Sequence, residues 1–193
     1  NEMSPISKGA LCATGQASIL SLYDINRLIN PLVGGKDEKD WSKIDTDIIG
    51  KLNSIAASNA GIRIVTGTSN SPSFDRALGI FKTKYPTTEV VVYDAVSYSG
   101  ILLANEQSFG KRVLPSYNFD KAEVIVSFGA DFLGTWISPV EYTKQWVMNR
   151  NPKDGKLSRH YQFESTLSLT GSNADIRVPM RESKEGLYLI SLY

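Results

Sequence analysis

The sequence predicts an α/β fold, an open and mostly parallel sheet flanked by helices in three layers, and three observations carry that expectation. Four short apolar runs, IRIV (62–65), EVVVYD (89–94), AEVIVSF (122–128) and RHYQFE (159–164), recur at intervals long enough to hold a helix between them. That alternation builds parallel strands through helical crossovers. The intervening segments carry helix signals of their own. The runs are also apolar at nearly every position instead of every second one, as strands covered on both faces are.

Taken in order, Asn1 to Trp41 has few periodic signals: a short helix is predicted at Gln16 to Ile25, then the turn-rich NPLVGGKDEKDW (30–41). Residues 1–43 therefore read as an N-terminal arm and linker, and residues 44–193 as the α/β domain. From Ile44 to Ala57 apolar residues fall at Ile44, Ile48, Ile49, Leu52, Ile55 and Ala56, a helical period, with Asp45 and Asp47 near its start and Gly61 beyond its end. Ser71 reads as the cap of a helix over Pro72 to Tyr85, Gly100 to Phe109 as a further helix, and Val140 to Arg150 as another after Pro139. A last strand at Ile176 to Pro179 leads into a helix over GLYLISLY. That segment ends without a stop signal and the first residue is Asn, so the chain reads as a fragment of a larger protein.

Composition excludes several function classes. A length of 193 residues suits one core, and 41% hydrophobic against 21% charged residues is an ordinary globular balance. The net charge of +1, from 21 basic and 20 acidic residues spread along the chain, provides no long-range field to attract nucleic acid. No apolar run reaches the roughly 18 residues of a membrane span, so direct membrane insertion is not expected. The single cysteine, Cys12, excludes an internal disulfide and a cluster or zinc site built by this chain alone.

In an open parallel sheet, ligands sit beyond the carboxyl ends of the strands, where loops and helix N-termini present backbone donors. Those ends read TGTSNSPS (66–73), DAVSYSG (94–100), SFGADFLGTW (127–136) and ESTLSLTGSNAD (164–175). Their Gly, Ser, Thr and Asn suit close approach to polar groups, and the same residues also make turns and caps. The candidate cofactor-binding residues are Gly67, Asn70, Ser127, Gly129, Asp131 and Glu164, with Trp136 and Phe132 as candidate partner contacts. Asp94 also follows a strand, with a turn role favoured. There is no GxGxxG after a strand, no P-loop, no GxSxG elbow, no HExxH and no CxxC. His160, the only histidine, lies inside a predicted strand, where a packed or edge histidine is expected.

Three blocks together carry a family resemblance. KGALCATGQASILSLYDINRLINPL (8–32), AEVIVSFGADFLGTW (122–136) and SRHYQFESTLSLTGSNADIRVPMRESKEGLYLISL (158–192) resemble, in order and spacing, segments of the molybdopterin oxidoreductases. These are the turn after the last cluster cysteine, a strand with its Gly-x-Asn-Pro loop, and the next strand leading to a final helix. The resemblance implies a Rossmann-like sheet. It aligns Cys12 with a cluster ligand whose three companions have no counterpart in Asn1 to Leu11, so no metal site is expected in this chain. Asp131-Phe132 stands where the family has Asn-Pro, and Glu164-Ser165-Thr166 where it has the Asp-Pro-Arg that seats the guanosine of its cofactor. Around Val96 to Leu103, where active members place a metal ligand, only Ser97 and Ser99 are available.

GADFLGTW, the ESTLSLTGSNAD loop and FGKRVLPSYNFDKAEVI (109–125) are most similar to one branch, the molybdopterin-oxidoreductase-like domain of the iron-sulfur subunit of alternative complex III, a quinol:electron-acceptor oxidoreductase. That resemblance implies a non-catalytic, cofactor-free scaffold domain within a membrane-bound respiratory electron-transfer complex on the periplasmic side of the cytoplasmic membrane. Iron-sulfur clusters are then expected elsewhere in the full protein. The first alternative is a fragment of an active enzyme that binds molybdopterin guanine dinucleotide at the strand-end loops. The second is an unrelated nucleotide-binding module.

Overall fold

The structure is a computed structural model that describes residues 1–38, 40–155 and 157–193; Lys39, inside the turn-rich segment, lies outside the described residues. The chain divides into two compact units, Asn26–Leu114 and a second made of Asn1–Ile25 with Pro115–Tyr193. This division falls elsewhere than the expected boundary at residue 43. The first 25 residues belong with the C-terminal half, and the turn-rich segment belongs with the helices and strands that follow it.

The α/β class is as expected. In chain order the elements are α1 (Ala13–Ala17), β1 (Leu32–Val33), β2 (Lys36–Asp37), α2 (Trp41–Ala57), β3 (Ile62–Thr66), α3 (Pro72–Lys84), β4 (Thr88–Val92) and α4 (Ser99–Phe109). They continue with β5 (Val124–Phe128), α5 (Pro139–Met148), β6 (Arg159–Glu164), α6 (Leu169–Asn173), β7 (Ile176–Pro179) and α7 (Glu185–Leu192). From β3 onward every pairing is parallel. Besides the β1-β2 pair, the described strands form two hydrogen-bonded sheets, β3-β4 and β5-β6-β7, where the sequence suggests one.

In the Asn26–Leu114 unit, Asp40 caps α2 by accepting from the Ser42 amide, so the helix starts at Trp41, a turn earlier than its apolar period indicates. Ser71 caps α3, as its sequence predicts, through the Phe74 amide at 3.3 Å. Tyr85 closes that helix. Its ring packs on Phe81 at 4.9 Å and its hydroxyl donates to Asn53 of α2 at 3.3 Å. The β1-β2 hairpin turns on Gly34 and Gly35, both at positive φ (58° and 78°), which a two-residue hairpin loop requires. The expectation of strands covered on both faces holds only in part here. Ile62 and Ile64 are half-buried, while Val65 on the opposite face is 70% exposed.

In the other unit the three-layer arrangement is visible in side-chain contacts. Ile125, Ser127, His160, Gln162 and Glu164 point to one face of β5 and β6, and α5 lies over it, with the Trp146 ring edge-on to His160 at 6.2 Å. On the opposite face Phe128 stacks on Phe163 at 4.6 Å, and Tyr188 of α7 reaches Phe163 at 5.7 Å. The core joins Ile125, Phe132, Leu133 and Tyr142. Gln145 of α5 is buried because its side chain accepts from the Phe119 amide at 2.9 Å, fastening the turn before β5 to the helix.

An ion pair closes the far end of this unit. Arg150 grips both oxygens of Asp175, at 2.6 and 2.8 Å, and lies over the Trp146 ring at 4.6 Å. Asp175 also accepts the His160 amide at 2.8 Å. The Arg150 guanidinium holds the Asp175 carboxyl down at about 2, with burial opposing and the His160 amide assisting. A depressed carboxylate contributes stability above its ordinary pKa and loses it as pH falls through about 2. With the Asp175 side chain 35% exposed and screened, the contribution is about 1 kcal/mol. Asp175→Asn should lower stability in urea by that amount at neutral pH, and the gap from wild type should close at about pH 2.

Candidate functional site

The β5 and β6 strand ends, with the residues that follow them, build the candidate site. Gly129 leaves β5 at φ 60° and donates its amide to the Phe163 carbonyl at 2.8 Å, so the chain departs the sheet in a conformation that favours glycine. The carbonyl of Asp131 then accepts from the amides of Gly134, Thr135 and Trp136, at 2.9 to 3.0 Å, winding the loop into a turn. Ile137, just beyond, takes φ 54°, a strained value for a β-branched residue that is held by packing against the core.

The two loop carboxylates point inward. One oxygen of Asp131 accepts from the Thr170 amide at 3.0 Å and the Thr170 hydroxyl at 2.8 Å, and the other accepts from the Thr135 hydroxyl at 3.2 Å. Thr170, fully buried, in turn accepts from the Leu133 amide at 2.9 Å. Glu164, 3% exposed, accepts from the Ser168 amide at 3.2 Å, the Ser168 hydroxyl at 2.6 Å and Arg177 Nε at 2.6 Å. Burial pushes the Glu164 pKa up, but Arg177 and Ser168 outweigh it, and the net shift is downward. A methyl group on Gly171 would overlap the Glu164 carboxylate, and one on Gly134 would overlap that of Asp131. Both glycines therefore make room for an acid.

Two clefts flank this loop. The first, ≈ 330 Å³, includes Gly129, Asp131, Thr135 and Glu164 together with Glu182 and Glu185, and its lining contains four carboxylates and no Lys or Arg. The second, ≈ 370 Å³, is largely apolar and runs along β5 beneath Tyr117, Phe119, Phe132 and Trp136. Ser127 lines this second cleft, with its hydroxyl donating to the Ala130 carbonyl at 3.3 Å. Three of the six candidate cofactor residues thus meet in one cleft and Ser127 faces the other. Gly67 and Asn70 belong to the Asn26–Leu114 unit, where both are exposed. There Asp94 accepts from the Thr68 hydroxyl and amide, which lower its pKa; the bond joins the ends of β3 and β4, 26 residues apart, and is not one within Asp94's own turn.

The candidate partner contacts separate. Phe132 is 1% exposed and stacks on Phe119 at 4.4 Å, so it is a core residue and not the surface contact the sequence suggests. Its loop position hid this, because the loop folds back over the sheet. Trp136 is half-buried and tilts against Tyr117 at 5.3 Å. Cys12 is exposed and caps α1 by accepting from the Gly15 amide at 3.4 Å. Among the described residues, no three His, Cys, Asp or Glu side chains gather as a metal-ligand set. Ser97 and Ser99 hydrogen-bond to each other at 2.8 Å.

Sequence reasoning missed Thr170 and Arg177, which orient the two acids. The Ser-x-x-Gly pattern at Ser168 to Gly171, with the Ser168 hydroxyl accepting from the Gly171 amide at 2.9 Å, was the available signal for a capped helix there. No protein-family model matches this chain, and no curated protein matches it.

Proposed function

We propose that this chain is a cofactor-free, molybdopterin-oxidoreductase-like scaffold domain of a respiratory electron-transfer complex, docking onto partner subunits while iron-sulfur clusters elsewhere in the full protein carry the electrons. The complex would sit on the periplasmic side of the cytoplasmic membrane. One observation carries the cofactor-free part of this reading. The strand-end amides that would receive a phosphate are already bonded internally: Ser168 N to Glu164, Thr170 N to Asp131 and Gly171 N to the Ser168 hydroxyl. Asp131 stands where a pterin phosphate would need a neutral or basic donor, and the same cleft adds Glu182 and Glu185 beside Glu164, whose charge Arg177 balances. The scaffold part of the reading rests on the sequence resemblance and on the half-buried Trp136 at the rim of the apolar cleft.

Anaerobic purification of the intact complex, followed by metal analysis, tests the first part: less than about 0.1 molybdenum per chain is expected on this reading, and a stoichiometric amount overturns it. Trp136→Ser tests the second. The variant is expected to fold as wild type by circular dichroism yet retain several-fold less partner subunit on co-purification, about 1–2 kcal/mol of docking energy for an aromatic anchor. Undiminished co-purification would remove Trp136 from the interface.

A further inference from the structure

His160 is fully buried in a place that suits only its neutral form. Its ring packs beside Phe132 of the 129–136 loop at 5.2 Å and faces the edge of Trp146 of α5 at 6.2 Å. Nε2 lies 3.4 Å from Gln162 Oε1, which only accepts, so the neutral ring carries its proton there. Nδ1 is buried with no partner. Gln162, also fully buried, reaches Glu164 at 3.4 Å and the Ala130 carbonyl at 3.5 Å. The imidazole is thus the inner end of a polar column that runs along one face of β6 to the acidic cleft.

We infer that His160 is a pH-sensitive latch: neutral, it holds α5 and the 129–136 loop against β6, and on gaining a proton it releases them. A second ring proton would appear on Nδ1, where nothing accepts it, in a wall made by two aromatic rings. The charged groups acting on it give little relief. Arg150, two residues beyond α5, repels the new charge, Asp175 ahead of β7 is already gripped by Arg150, and Glu164 on the same strand is already bonded to Arg177 and Ser168. Phe132 and Trp146 bring no charge. Burial accordingly lowers the His160 pKa, against the Gln162 hydrogen bond that raises it. A histidine depressed in the folded state contributes stability that is complete above its ordinary pKa of about 6.5 and is lost as pH falls through the folded value. Opening the loop and α5 hydrates the ring and removes that penalty. Release would also displace Trp136 at the loop's end, a consequence that depends on the docking reading above, whereas the latch itself does not.

Because His160 is the only histidine, its imidazole signal in a proton NMR titration of the whole chain needs no variant for assignment. The expected result is a ring still mostly neutral at about pH 6.5 that protonates below it, together with shifts at Phe132 and Trp146. Amide exchange in α5, corrected for its intrinsic pH dependence, should rise about tenfold for each unit the ring is depressed. His160→Phe should abolish the step while keeping the neutral-pH spectrum. A ring that titrates near its ordinary value without change at Phe132 and Trp146 overturns the latch, as does an acid step that survives in His160→Phe. Should that variant not fold, the wild-type titration decides alone. Partner co-purification that persists after the ring has protonated would remove the docking consequence and leave the latch standing.

Discussion

Gly171→Ala is expected to destabilise the unit containing Pro115–Tyr193 by about 2–4 kcal/mol, a large effect for one added methyl group. The new carbon would fall on the Glu164 carboxylate, and the backbone of α6 that carries it is held in place by Thr170. The side chain that yields is therefore Glu164. Moving it breaks its bonds to Arg177 and Ser168 and leaves an ionised carboxylate in a site where it is 3% exposed. Losing one partner of a buried pair costs more than the pair contributes, because the remaining charge stays desolvated. Gly50→Ala is the comparison. Gly50 lies in the interior of α2 with nothing within 4 Å of the added carbon, so the same substitution should gain up to about 1 kcal/mol from helix propensity. Urea unfolding followed by tryptophan fluorescence measures both. A loss under about 0.5 kcal/mol for Gly171→Ala would mean that the Glu164 site relaxes freely.

Phe132→Ala is the second large effect, about 3–5 kcal/mol. The ring is 1% exposed, stacks on Phe119 at 4.4 Å and packs on His160 at 5.2 Å, so its removal opens a cavity where the loop, the turn before β5 and β6 meet. Relaxation is restricted on each side: Phe119 is fastened to Gln145, and the loop is held by Thr170 through Leu133 and Asp131. The consequence for assembly differs from that of Trp136. On the docking reading proposed above, Phe132→Ala should weaken partner capture only to the extent that it unfolds the unit, with the unfolding midpoint falling in parallel, whereas Trp136→Ser, which also loses packing against the core, should weaken capture by more than its fall in midpoint accounts for. A Phe132→Ala variant of wild-type stability would show that the loop does not seal the core.

The strands were legible because continuous apolar runs between helical segments have few other folds open to them: β6 and β7 match their predicted spans, and β3 to β5 fall within two residues of theirs. Helix ends were less legible where a cap lay outside the apolar period, as Asp40 does for α2. The segment expected as a helix at Gln16 to Ile25 is instead the short α1 followed by a 3-10 turn over Ser18–Tyr23, since its apolar residues do not keep one face. The position of the candidate site followed from topology alone, because strand ends are where loops gather. Its chemistry was harder to read. Asp131 was visible as a carboxylate where the resembled family has a neutral Asn, and Glu164 as one where it has Asp, yet their engagement by Thr170, Ser168 and Arg177 depends on contacts up to 39 residues apart. No local pattern encodes that distance. Phe132 failed for the same reason: the sequence places it in a loop, and only the fold shows that the loop closes inward.

Asp131 and Glu164 have a further consequence for how the protein is made. A domain whose strand-end amides wait for a phosphate is stabilised by ligand in proportion to the logarithm of its concentration, so its survival during biogenesis depends on cofactor supply. Here the chain carries its own anions on side chains translated with it. Their effective concentration is fixed by covalent connection and does not fall when a biosynthetic pathway fails. On the cofactor-free reading proposed above, the unit reaches its native state with no insertion step and no apo form to protect.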